Sequence, residues 1–306
     1  MSFSVLLGKM LIFVVMMAIG YLCAHKGFVS KSFVGDASKL TLNFCLVASI
    51  LNSVFSSGLE FSFGEIAKSI GVMCLMIAIC YSVAFIAVKL TKLPENRKPV
   101  YEMLVANGNS MFIALPVAQQ VYGSLGVFYI SMSNLPINTM LYGYCVYKLA
   151  KGKFGAKFEP KKIFTPPLIA ALVSLVIFIA GIPVPEIVKN VIGTMANATM
   201  PLSMLVVGAS LGGISFAETF KDKDVYLVGL MRLVVVPIIV YLILRLIPMD
   251  PMLMKSAVLI SASSCAIMST AMAFQYDRDY VFASKAILFT TTGCMLTIPA
   301  WVYFMG

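Results

Sequence analysis

Long apolar runs, interrupted at intervals by glycine, proline and clusters of charge, make up most of this chain. A helix needs about 20 mostly apolar residues to cross a bilayer, within a range of roughly 17–25. Ten stretches have that length: 3–24, 34–57, 66–90, 101–122, 125–148, 164–181, 187–213, 224–247, 252–275 and 281–304. The pattern predicts an all-α polytopic membrane protein with ten transmembrane helices. The first stretch follows Met1-Ser-Phe-Ser-Val, with neither a basic leader nor a small-residue cleavage site, and is expected to be a mature span.

Composition agrees with that pattern. The chain is 60% hydrophobic and 12% charged over 306 residues, and a soluble globule of that size cannot hide so much apolar surface from water. Seven cysteines (23, 45, 74, 80, 145, 265 and 294) all lie in apolar runs without a close C-x-x-C pair. They read as small core residues and not as disulfides or a zinc site. The net charge of +10 would point to nucleic acid in a soluble protein; here its position matters more than its size. Odd-numbered loops hold 15 Lys and Arg, while Gly58 to Glu65, Gly123 to Ser124, Ile182 to Glu186 and Pro248 to Asp250 hold none. By the positive-inside rule both termini face outside, and Lys148 to Lys162 is the largest cytoplasmic loop. The expected surroundings are lipid, with no nucleic-acid partner.

That loop divides the chain into a first five-helix repeat (1–149), a Lys-rich cytoplasmic linker (150–163) and a second five-helix repeat (164–306). An odd number of spans per half makes the second half enter from the opposite side, which defines two inverted repeats. Carriers built this way bind substrate near the midplane, where corresponding helices are broken. Span 4 contains Asn107, Asn109, Ser110, Gln119 and Gln120 around Pro116, and the proline is expected to kink or break the helix. Its counterpart, span 9, has no proline but clusters Ser261, Ser263, Ser264, Ser269 and Thr270. Small polar residues can also serve only as glue between packed helices.

These residues carry a resemblance. Asn109-Ser-Met-Phe-Ile-Ala-Leu-Pro116 followed by Val121-Tyr-Gly123 resembles the signature of the auxin efflux carrier family, which includes the plant PIN-formed carriers and many bacterial members. Ala273-Phe-Gln-Tyr276, Ile298-Pro299, and Thr199-Met-Pro201-Leu before Gly208 are similar to further stretches of that family. The resemblance implies crossing broken helices 4 and 9, an architecture similar to that of bile-acid carriers and sodium/proton antiporters. It also implies a homodimer with a scaffold of helices 1, 2, 6 and 7 and a transport unit of helices 3–5 and 8–10. Its substrates are small organic anions, mono- or dicarboxylates, moved across the bacterial plasma (inner) membrane by an elevator-like alternating access. Ala114, Val47, Ser264 and Met268 depart from the usual Gly, Pro, Pro and Asn, so the second break is expected to be softer. The candidate substrate-binding set is Asn107, Asn109, Ser110, Pro116, Asn138, Arg232, Ser264, Cys265 and Ser269.

Every Asp and Glu falls in a loop or within about two turns of a span end, leaving no deep carboxylate to carry a proton or cation. Arg232 is the exception among the cations, close to mid-span beside Pro237. Three roles are open to it: binding carbonyls freed at a broken helix, binding a substrate carboxylate, or snorkelling to the interface. Lys39, Lys255 and Lys285 are expected to snorkel. No protease or nucleotide-binding motif occurs, so neither an enzyme nor an ATP-driven pump is expected, and no cofactor is called for. Two other readings stand beside the carrier: a sodium-coupled symporter of similar fold, and a sensor that keeps the fold without transport.

Overall fold

The computed structural model describes residues 3–55, 62–150 and 160–306. Lys151, Lys153, Lys157 and Glu159 of the linker, and Gly58 and Glu60 of the first basic-free loop, lie outside the described residues. Among the described residues the chain is all-helical, with one isolated bridge and no strand. The first half holds α1 (Phe3–His25), α2 (Lys31–Leu40), α3 (Leu46–Phe55), α4 (Phe63–Leu90), α5 (Lys98–Ala106), α6 (Leu115–Val121), α7 (Gly123–Met132), α8 (Asn134–Met140) and α9 (Val146–Leu149). The second holds α10 (Pro166–Ile179), α11 (Glu186–Asn197), α12 (Thr199–Leu211), α13 (Phe216–Lys221), α14 (Lys223–Leu230), α15 (Val236–Leu244), α16 (Pro251–Ala262), α17 (Met268–Gln275) and α18 (Tyr280–Phe304). Five-residue π turns at Thr41–Cys45, Ser110–Ala114, Leu141–Cys145 and Met231–Val235 are set into this series.

Among the described residues six helical runs are long and apolar enough to cross a bilayer: Leu7–His25, Ser32–Phe55, Gly64–Leu90, Glu186–Leu211, Lys223–Leu244 and Tyr280–Phe304. The apolar stretches 101–122, 125–148, 164–181 and 252–275 are built instead from shorter or interrupted helices. The chain forms two compact units, the first of Met1–Ile70, Met111–Asn134 and Phe164–Gly213, the second of Gly71–Ser110, Leu135–Ile163 and Ile214–Gly306.

In the first unit α1 lies along α12 with the two backbones touching. A Cβ on Gly208 would sit 2.0 Å from the Met17 carbonyl oxygen, and one on Gly20 would sit 2.2 Å from that of Leu205. Only hydrogen fits at these positions. Lipid tails are as apolar as leucine, so close backbone packing of this kind, and not hydrophobic burial, holds such helices together. α3 packs on α7, α10 and α11, burying Leu46 and Ile50 completely.

The second unit is organised by two interruptions. The first lies at Asn107–Asn109; Pro116 comes later, inside the helical run Ser110–Val121 and directly behind the π turn Ser110–Ala114, which accommodates its missing amide hydrogen. The expected distortion at the proline is thus the π turn, while the full break of the span comes several residues earlier. The second interruption, at 263–267, forms without any proline. Ser261 and Ser263 hydroxyls donate back to the carbonyls of Val258 and Ile260, 2.7 Å away in each case, and offer the backbone an alternative to continuing the helix.

Candidate functional site

The two interruptions meet as short extended segments. Asn109 N donates to the Ser264 carbonyl at 2.8 Å and Ala266 N to the Asn107 carbonyl at 3.0 Å, pairing Gly108 antiparallel with Cys265. Two helices, α5 and α16, therefore end at one place with their last carbonyls unsatisfied by their own turns.

Arg232 takes those carbonyls. It is fully buried on the π turn before α15 and donates Nε to Ser263 O at 3.0 Å, Nη1 to Val105 O at 3.0 Å and Ala106 O at 3.3 Å, and Nη2 to Ile260 O at 2.7 Å. Each helix C-terminus carries about −0.5 of an elementary charge, so two of them balance one guanidinium. This is the carbonyl-binding role, and complete burial rules out snorkelling. Pro237 frees the carbonyl of Leu233 four residues back, which receives the indole N–H of Trp301 at 3.3 Å.

Gly108 is the residue at the crossing that sequence reasoning passed over. A Cβ there would lie 1.8 Å from Arg232 Nη2 and 2.5 Å from Ile260 O. It immediately precedes the recognised motif, between two candidate asparagines, but only the three-dimensional crossing gives it a reason.

The other candidates are placed as follows. Asn107 is 1% exposed, and its side chain accepts from Tyr81 Oη at 2.9 Å and donates to Met103 O at 3.0 Å and toward Cys145 Sγ at 3.6 Å. It is thus occupied in pinning α4, α5 and the Leu141–Cys145 turn together. Asn109, Ser110, Ser264 and Cys265 lie buried at the crossing itself, with Cys265 N donating to Thr290 Oγ1 at 3.2 Å. Ser269 is buried in the first turn of α17, and its hydroxyl meets no hydrogen-bond partner among the described residues. Asn138 stands apart in α8, donating to Ile163 O at 3.2 Å. Pro116 belongs to the first unit and these residues to the second.

Beside the start of α17 is a cavity of about 270 Å³ lined by Tyr142, Val146, Lys162, Met268, Met272 and Tyr276. Phenols, thioethers and one ammonium surround it. A second cavity, of about 450 Å³, has Glu95, Lys98, Glu102, Lys148 and Arg278 in its wall. Glu102 is the buried acid among the described residues, receiving the Tyr144 hydroxyl, with Lys148 Nζ at 3.6 Å. It lies in the second turn of α5, so the crossing itself holds no carboxylate among the described residues.

Three further acids surround Arg97, the residue before α5. Its guanidinium reaches Asp279 at 2.8 Å, Asp224 at 2.7 Å and Asp222 at 3.2 Å. Partial burial works against the charged form, but the hydrogen bonds of Asp279 and Asp224, with the charge of Asp222, outweigh it and raise the arginine above its ordinary range. Asp222 and Asp279 also cap α14 and α18.

Long apolar helices, and a crossing of two broken ones around a neutralised cation, define a multi-pass membrane protein of the transporting kind. A family model described as "Membrane transport protein" matches residues 5–160 and 153–302. The chain belongs to that family, the auxin efflux carriers. It is 21% identical to an uncharacterized transporter of Methanothermobacter thermautotrophicus over 94% of each chain. It is 23% identical to one of Methanocaldococcus jannaschii, over 96% of this chain and 97% of that one. With the uncharacterized transporter YfdV of Escherichia coli it shares 19% identity over 97% of this chain and 96% of the relative.

Proposed function

We propose that this protein is a secondary carrier of a small organic anion, a mono- or dicarboxylate, exporting it across the plasma membrane with both termini outside. The observation that carries this reading is the charge of the crossing: one arginine neutralised by backbone carbonyls, neutral polar side chains around it and no carboxylate. Such a site repels no anion and holds no group that would carry a proton. The carboxylate binds at Asn109 and the first turn of α17, where the helix N-terminus offers partial positive charge and Ser269 an uncommitted hydroxyl. It arrives through the small cavity beside that turn, past Lys162.

Movement is elevator-like, in a homodimer of ten-helix inverted-repeat subunits, with helices 1, 2, 6 and 7 as scaffold and helices 3–5 and 8–10 as transport unit. What supports the division is that α1–α3 and α10–α12 gather in one compact unit and α13–α18 in the other; Met111–Asn134, from spans 4 and 5, departs from it by falling with the first. Counterflow of labelled mono- and dicarboxylates into proteoliposomes tests the reading. The expected result is saturable accumulation of at least one such anion, half-saturating at a higher concentration in Asn109→Ala; no counterflow of any carboxylate from a folded preparation overturns it.

A further inference from the structure

The second cavity has no part in that anion site. The described residues of its wall all belong to the second unit: Val88 in the last turn of α4, Glu95 ahead of α5, Lys98 and Glu102 within α5, Lys148 in α9, and Arg278 between α17 and α18. Two of its three cations are answered by acids. Lys98 pairs with Glu95, and Lys148 Nζ lies 3.6 Å from Glu102.

Arg278 is left over. It is 6% exposed, and among the described residues it forms no ion pair, Asp277 beside it in sequence being exposed. Its Nε donates to the Leu149 carbonyl at 2.8 Å and its Nη2 reaches that of Lys148 only at 3.5 Å, so Nη1 meets no acceptor among the described residues. Arg232, by comparison, spends all three nitrogens on four carbonyls. The wall thus sets three positive charges against two negative ones, and α5 begins there with no acid in its first turn, which adds partial positive charge. A buried guanidinium with donors to spare calls for an anionic acceptor.

The neighbouring surface selects the acceptor. α4 belongs to a run long and apolar enough to cross a bilayer, and its last two turns leave Phe85, Ile86 and Leu90 exposed. The Phe85 ring faces Lys89 Nζ at 4.1 Å and Lys148 Nζ at 5.3 Å. Apolar surface fit for an acyl chain therefore runs up to an ammonium of the cavity wall, and a basic pocket between membrane helices suits a lipid headgroup. At about 450 Å³ the cavity has room for a phosphate together with its glycerol. We propose that it binds the phosphate of an anionic phospholipid at Arg278 Nη1, with Lys98 and Lys148 beside it and the acyl chains along the end of α4. The lipid would tie α4, α5, α9 and the turn between α17 and α18 together.

The full-length protein, purified in detergent and stripped of lipid, provides the test. It is titrated with phosphatidylglycerol or phosphatidylcholine in mixed micelles while its thermal midpoint is followed, and native mass spectrometry counts the lipid retained. A saturable rise and retained lipid are expected with phosphatidylglycerol and neither with phosphatidylcholine. Arg278→Gln should lose the retained lipid. Lys98→Gln should weaken binding and Glu95→Gln tighten it, each about fivefold, the factor that one basic residue carries at an anionic lipid surface. A fold defect cannot produce the gain in Glu95→Gln. Equal effects of the two lipids would overturn the proposal, as would unaltered phosphatidylglycerol affinity in both Arg278→Gln and Lys98→Gln. A loss in Lys92→Gln, an exposed position outside the cavity wall, as large as that in Lys98→Gln would overturn it too. Displacement of the lipid by glycerol phosphate at matching concentration would assign the cavity to a soluble phosphate ester and overturn the lipid assignment.

Discussion

Asn109 and Arg232 stand within one crossing but have opposite expected phenotypes. Asn109→Ala removes an amide donor from the proposed carboxylate, and a hydrogen bond to a charged group contributes about 1.5–3 kcal/mol. Substrate should bind about 10- to 100-fold more weakly to a protein with an unaltered melting curve; unchanged binding would move the site elsewhere. Arg232→Ala leaves two sets of helix-end carbonyls without their cation, a loss on the order of 3–5 kcal/mol by analogy with a broken buried pair. Its thermal midpoint should fall sharply, with Arg232→Lys intermediate because an ammonium cannot reach four carbonyls at once. Full stability with lost anion binding would instead make Arg232 a ligand. Gly108→Ala forces a methyl against the same guanidinium and should cost about 1–3 kcal/mol.

At the scale of the element, the sequence disclosed where polar groups gather in spans 4 and 9 but not how each helix stops. Pro116 drew attention because a proline is the strongest local breaker, yet the helix stops earlier, where Asn107 and Asn109 find partners across the crossing. In span 9 the absent proline pointed to a softer break, whereas back-bonding serines and an arginine from α14–α15 suffice. Both outcomes depend on contacts from outside the broken span, Asn109 with Ser264 across the crossing and Arg232 with Ile260 28 positions away, which no local pattern contains. The same limit applies to Arg97, whose sequence neighbours show a loop lysine-and-arginine cluster and not a clasp on the caps of α14 and α18. Arg97→Ala should therefore lower the thermal midpoint by more than substitution of an exposed loop lysine such as Lys92, about 1–3 kcal/mol, a difference that melting curves in detergent resolve.

For the whole molecule, the absence of a carboxylate at the crossing has an electrical meaning. A carrier whose binding site has no mobile compensating charge lets the substrate carry the current, and each unit charge crossing 100 mV is worth about 2.3 kcal/mol. An inside-negative potential then favours anion export by itself. Solid-supported-membrane recordings at equal pH and equal sodium on both sides should show a current on every substrate jump; silence in a preparation active in counterflow would contradict the assignment. The apolar runs alone pointed to an all-helical membrane chain, because bilayer thickness acts locally, but they did not show that among the described residues only six helices are long and apolar enough to cross.

The lone tryptophan of this chain lies where an observer would choose to put a dye. Trp301 donates to the carbonyl that Pro237 leaves open, one residue along from Arg232. Indole emission responds to the polarity and hydrogen bonding of its ring nitrogen, so the unlabelled protein reports optically on this one spot without interference from a second indole. Stopped-flow fluorescence can therefore time rearrangements at the Pro237 turn in the native sequence, and Trp301→Phe is its ready-made dark control.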